Sequence, residues 1–270
     1  MDNRPIGFFD SGLGGLTSVH ELHEQLPDEK VIYFGDTART PYGSKSPDTI
    51  REFATQIVDY LVDHDCKMII IACNTATAMA LDSLRDRYPD IPILGVIEPT
   101  VKRIIADGCT RVGVIATKAT IGSDVYGKSL KALNPGIQVS SLACPAIVPL
   151  VEEGIIDNEI MELTIRHYMD SWVKENDFDN LILGCTHYPL ISNTISRLYP
   201  ALRLYNSSAE VISEAAAILK DNNILAEPNE YNDIYYASDL SDNFIAMTDL
   251  LFQDRDSRIK LVKMEDYSEK

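Results

Sequence analysis

The sequence predicts an α/β protein with two pseudo-symmetric lobes, each a mostly parallel sheet flanked by helices. Three observations carry this expectation. Short apolar runs alternate with longer amphipathic segments almost to the C-terminus, the pattern of strand and helix in turn that builds parallel sheets. The runs are rich in Val and Ile and apolar on both faces, as buried parallel strands require. Two of the runs also recur later in the chain, at offsets of 106 and 112 residues, which suggests a duplicated unit.

Taken in order, Ile6-Gly7-Phe8-Phe9 reads as the first strand, and Asp10-Ser11-Gly12-Leu13-Gly14-Gly15 as the turn that ends it. Glycines there let backbone amides point into a concavity that accepts an anion at the next helix start. The turn is neither GxGxxG nor a P-loop, and alone it is only a tight turn. His20 and His23 fall on the following helix without the HExxH spacing, so they read as a helix face rather than metal ligands. Val31-Ile32-Tyr33-Phe34 is the second strand, and Gly35 to Ser44 a Pro/Gly turn with a hydrophilic rim. The clearest helix carries Ile50, Phe53, Ala54, Ile57, Val58, Leu61 and Val62, with Ser46 as N-cap and Pro47 in the first turn. Met68 to Ala72 is a strand, and Thr75 to Tyr88 a helix stopped by Pro89. Further strands are read at Ile93 to Ile97, Val112 to Ile115, Val139 to Ala143, Leu181 to Leu183 and Ile234 to Tyr236. Glu152 and Glu153 read as a solvated pair.

The chain has 270 residues, 45% hydrophobic and 24% charged, ordinary values for a soluble globular protein with one or two domains. Its 24 Lys and Arg face 41 Asp and Glu, a formal net charge of −17. Such a surface repels phosphate backbones, so nucleic acid is not an expected partner. A small anionic substrate is still compatible, because local dipoles in a pocket can oppose the global field. No apolar run approaches the ~20 residues that cross a bilayer, and no signal-peptide pattern opens the chain, so neither membrane nor secretion is expected. The five cysteines are odd in number, widely spaced and without CxxC, which suggests neither disulfides nor zinc and favours a reducing cytoplasm.

Two of those cysteines stand out. Cys73 and Cys185 each close an apolar run and precede a helix start, and open α/β sheets gather ligands beyond the carboxyl ends of their strands. A helix N-terminus favours thiolate over thiol, so a lowered thiol pKa is expected at both. Cys66, Cys109 and Cys144 lack that polar strand-end setting and read as small buried hydrophobes. Polar neighbours in duplicate, Asn74-Thr75 and Thr186-His187, favour chemistry at the other two. His187, two residues beyond Cys185, then becomes a proton partner.

The motifs together resemble the glutamate racemase family. The resemblance rests on Phe9-Asp10-Ser11-Gly12-Leu13-Gly14-Gly15, Asp36-Thr37, Pro41-Tyr42-Gly43, Ala72-Cys73-Asn74-Thr75-Ala76 and Gly184-Cys185-Thr186-His187-Tyr188-Pro189-Leu190, five motifs in one order. It implies racemisation of L- and D-glutamate without cofactor or metal, with two cysteines working on opposite faces of Cα. Cys73 would act on D-glutamate and Cys185 on L-glutamate, assisted by Asp10 and His187, with Asp36 and Glu152 as auxiliaries. Substrate binding would fall to Asp10, Ser11, Tyr42, Gly43, Asn74, Thr75, Thr186 and His187. The resemblance further implies lobes at 1–97 plus 207–270 and at 98–206 with the active site in the cleft between them, a cytoplasmic homodimer, and D-glutamate supplied to bacterial peptidoglycan. Some members carry an N-terminal extension linked to activation by a wall precursor; with the first motif at residue 6, none is expected here. Two competing readings are an aspartate or hydantoin racemase on the same fold and a binding protein that captures an amino acid between two lobes. Pyridoxal phosphate catalysis ranks low, since no lysine stands in the site segments although Lys45 borders one.

Overall fold

A computed structural model describes residues 1–228, 233–252 and 257–264. The chain opens with β1 (Ile6–Asp10), α1 (Leu16–Gln25), β2 (Val31–Gly35), α2 (Pro47–Asp63), β3 (Met68–Ile71), α3 (Asn74–Arg87) and β4 (Ile93–Gly95). It continues through α4 (Ile97–Ala106), β5 (Arg111–Ala116), α5 (Lys118–Ser123), α6 (Val125–Leu133), β6 (Gln138–Ala143), α7 (Ile147–Glu152) and α8 (Glu159–Asn176). Then come β7 (Asn180–Gly184), α9 (Ser192–Leu198), β8 (Arg203–Asn206), α10 (Ser207–Asp221), β9 (Asp233–Ala237), α11 (Asp242–Leu251) and β10 (Ser257–Leu261).

These strands form two parallel sheets, one in the order β10-β9-β2-β1-β3-β4 and one in the order β6-β5-β7-β8. The sub-orders 2-1-3-4 and 6-5-7-8 are the same arrangement, so β1 corresponds to β5 and β3 to β7. The duplication seen in the sequence is therefore a duplication of topology. After β8 the chain returns to the first sheet and adds β9 and β10 at its edge. The expected first lobe runs to residue 270, and its segments 229–232, 253–256 and 265–270 lie outside the described residues.

One apolar cluster lies between the sheets and joins Phe8 and Ile70 of the first with Val112, Val114 and Ile182 of the second, through residues of α1, α4, α6 and α10. Two others cover the outer faces, under α2 and α3 on one side and under α7 and α8 on the other. The predicted cap is present: Ser46 precedes α2 and its Oγ accepts from the Thr49 amide at 3.3 Å, with Pro47 as the first helical residue. Two expectations are corrected. The run at Val139 to Ala143 is not a buried strand, because β6 is an edge strand, and its residues are half-buried or exposed. The run at Ile93 to Ile97 is shorter as a strand, since α4 begins at Ile97. His23 lies on α1, as expected. It is buried, with Nε2 2.9 Å from Oδ2 of the buried Asp233.

Candidate active site

Asp10, Cys73 and Cys185 stand at the C-terminal ends of β1, β3 and β7, where parallel strands deliver side chains to a ligand. Cys73 is the N-cap of α3. Its Sγ accepts from the Ala76 amide at 3.4 Å, and the thiol donates to Oγ of Ser11 at 3.5 Å. Cys185 precedes a short 3-10 turn, Tyr188–Ile191, that leads into α9. The two cysteines face one cavity of about 40 Å³, from the first and the second sheet respectively. A buried water needs ~10–15 Å³, so this space holds only a few.

Nine of the expected site residues line that cavity: Ser11, Tyr42, Gly43, Cys73, Asn74, Thr75, Cys185, Thr186 and His187. The other three stand behind them. Asp10 is 1% exposed, and its carboxylate accepts from the amides of Gly12 and Gly15 at 3.1 and 3.0 Å and from Oγ1 of Thr186 at 3.4 Å. Burial raises its pKa above the usual carboxylate range. Asp36 is buried beneath Tyr42, whose hydroxyl donates to it. Arg39 Nε at 2.8 Å and Ser238 Oγ at 2.9 Å complete its shell. Glu152 accepts from Nε2 of His187 at 3.0 Å. That contact overturns the solvated pair expected at Glu152 and Glu153, because α7 turns Glu152 inward while Glu153 stays exposed.

The two sulfurs have opposite surroundings. Burial and the Asp10 charge push the Cys73 thiol up to about 12, which reverses the lowered pKa expected from its helix N-terminus. The Ala76 amide and Ser11 pull the other way and do not offset the loss of water. On the other side His187 Nδ1 lies 3.7 Å from Sγ of Cys185. Burial opposes a charge on His187, but the Cys185 sulfur and Glu152 outweigh it and push the imidazole up to about 10. The surroundings therefore favour the protonated form of both Cys73 and His187.

Cys66, Cys109 and Cys144 are buried as expected. Cys144, however, does follow a strand end, that of β6, where it packs in the outer apolar cluster of the second lobe. Sequence reasoning missed Thr117 and Val148, which also line the cavity. Oγ1 of Thr117 lies 3.0 Å from that of Thr75. The internal offset of 106 residues maps Ser11 onto Thr117, so the duplication itself carried the signal. Among the described residues, no group of three or more His, Cys, Asp or Glu is placed to hold a metal ion, and no helix is long and apolar enough to cross a membrane.

The fold and paired strand-end cysteines define an amino-acid racemase class, and the comparisons with known proteins agree. The Asp/Glu/Hydantoin racemase family pattern matches residues 15–219. The chain belongs to that family and is an isomerase. Glutamate racemase of Geobacter metallireducens is 45% identical over 248 residues, 91% of each chain. That of Streptococcus sanguinis is 43% identical over 242 residues, 88% of this chain and 90% of its own. Among solved structures, glutamate racemase from Francisella tularensis in complex with D-glutamate superposes with a TM-score of 0.92 at 38% identity, over 99% of this chain and 100% of that one. Within the family, this chain falls in the glutamate racemase branch.

Proposed function

We propose that the protein interconverts L- and D-glutamate by a two-base, cofactor-free proton transfer at Cα. The observation that carries the reading is the pair of buried cysteines at equivalent strand ends, facing one small cavity from two sheets. Inverting a stereocentre by proton transfer needs an acid on one face and a base on the other.

From L-glutamate, the Cys185 thiolate takes the Cα proton, and the bonding pair left on Cα spreads into the α-carboxylate. The Cys73 thiol then donates its proton to the opposite face, which yields D-glutamate with Cys185 as thiol and Cys73 as thiolate. D-glutamate runs the same steps backward. The held thiol at Cys73 suits the first direction. The His187 cation, steadied by Glu152, offsets negative charge at Cys185. Hydroxyls of Ser11, Thr75 and Thr117 and the amide of Asn74 offer donors for enolate-like charge on the carboxylate. The cavity is too small for glutamate, so the lobes, 1–97 with 207–270 and 98–206, part to admit it and close to exclude water. The same reading makes the protein a cytoplasmic homodimer that feeds D-glutamate to peptidoglycan and so to cell shape.

Optical rotation of purified protein with each enantiomer, in D₂O and after dialysis against chelator, tests the proposal. Solvent deuterium should enter product Cα faster than remaining substrate, chelation should not change the rate, and Cys73→Ser or Cys185→Ser should each nearly abolish racemisation in both directions. Near wild-type racemisation by either variant would sink the two-thiol mechanism.

A further inference from the structure

The strand ends that carry the two cysteines are tied together by one buried side chain that does not itself line the cavity. Tyr126, on α6, is 3% exposed, and its hydroxyl donates to Oδ1 of Asn74 at 2.6 Å. Asn74 directly follows Cys73. Its Nδ2 donates to Oγ of Ser207 at 3.4 Å, and that hydroxyl donates to the Leu183 carbonyl at 3.1 Å. Leu183 lies in β7, two residues before Cys185. The loop of contacts closes at Gly184, between them, where an added methyl group would come within 3.3 Å of Cε2 of the Tyr126 ring. One tyrosine therefore bonds to the residue after Cys73 and bounds the space beside the residue before Cys185.

The direction of the hydrogen bonds is forced. A carbonyl only accepts, so Ser207 spends its proton on Leu183 and must accept from Asn74. That turns Nδ2 of Asn74 toward Ser207 and Oδ1 toward Tyr126, which must donate. With the amide reversed, Oδ1 would face the Ser207 oxygen, whose proton is committed to Leu183, and would lose its donor.

We infer that Tyr126 is a positioning residue of the proton transfer: it holds the Asn74 amide in one orientation and sets the spacing of Cys73 and Cys185. The ring gauges the distance to β7, and the hydroxyl fixes the start of α3. Its catalytic consequence rests on the two-base reading above, whereas its geometric consequence does not.

Tyr126→Phe keeps the ring and removes only the hydroxyl. Two readouts test it on the whole protein. In the first, kcat/KM for either glutamate enantiomer should fall about tenfold, the size of one lost buried hydrogen bond. In an Asn74→Ala background the same change should cost less than about twofold, because its route of action is already gone. Equal losses in both backgrounds would overturn the inference. The second readout needs no substrate: the ratio of Cys73 to Cys185 alkylation by iodoacetamide, mapped by mass spectrometry, should shift in Tyr126→Phe. An unchanged ratio would overturn the inference too. If wild-type protein turns over neither enantiomer, the proposed function fails and the alkylation ratio alone decides the role of Tyr126.

Discussion

Replacing Glu152 by Gln changes a single charge at the edge of the site. Gln keeps the length and can still accept from Nε2 of His187, which lies 3.0 Å away. A hydrogen bond to a charged group contributes ~1.5–3 kcal/mol. The Glu152 side chain is 28% exposed, so water screens the pair and the low end applies. About 1.4 kcal/mol is a tenfold change in proton affinity, or about one pH unit. His187, pushed up to about 10 in the wild type, should then lose its proton roughly one pH unit earlier. The assay is kcat/KM against pH with both enantiomers, and the alkaline limb should move down by that amount. Stability follows with a definite sign. A histidine whose folded pKa is raised stabilises the protein fully below its usual value of 6.5, and that stabilisation fades as pH rises toward 10. The variant should therefore melt lower than wild type near pH 6 and converge with it near pH 10. An alkaline limb that stays where the wild type has it would refute the role given to the Glu152–His187 pair.

Two more outcomes follow from the packing. A methyl group on Gly14 would lie 2.4 Å from Oγ1 of Thr186 and 2.5 Å from Nδ1 of His187, so Gly14→Ala should displace both and lower kcat/KM about a hundredfold. Gly122→Ala, with nothing within 4 Å of the added carbon, should leave steady-state kinetics unchanged and serves as control. Glutamate should protect Cys73 and Cys185 from alkylation while Cys66, Cys109 and Cys144 stay indifferent, and peptide mapping that finds equal protection elsewhere would count against the site.

Most of the central strands were legible because burial on both faces writes itself as Val- and Ile-rich runs. The missed strands, β8 and β10, are edges: Arg203 and Asn206 in one and Arg258 and Lys260 in the other dilute the apolar signal. Edge position also explains the exposure of β6, where Ser141 is exposed and Ser140 is only half-buried. Cys73 and Cys185 were legible because a strand end is a local feature. The charge around them was not. Glu152 reaches His187 across 35 positions and Ser238 reaches Asp36 across 202, so those contacts exist only once the helices and sheets have packed. The same limit explains the error on Cys73: a helix start can be read from neighbours, but the loss of water around the sulfur cannot.

The duplicated frame carries unequal chemistry, and thermodynamics limits what that inequality can do. The offset of 106 residues that sets Asp10 at the end of β1 sets Ala116 at the end of β5, and the offset of 112 places Thr75 where the second lobe has His187. One sulfur thus lies near a carboxylate and the other beside a histidine whose protonated form is favoured. L- and D-glutamate have the same free energy in water, and kcat/KM measures the transition state against free enzyme and substrate. Both directions cross the same transition state, so their kcat/KM values must be equal however different the groups on the two faces are. The asymmetry can appear only in how each direction divides that ratio between kcat and KM, and in the protonation state that each enantiomer selects. In the proposed two-base reaction, a thiol at Cys73 and a thiolate at Cys185 would form the state that accepts L-glutamate, and the exchanged state would accept D-glutamate. A variant at Asp10 or His187 therefore shifts the balance between those two forms of the free enzyme, and it does so without favouring either product at equilibrium.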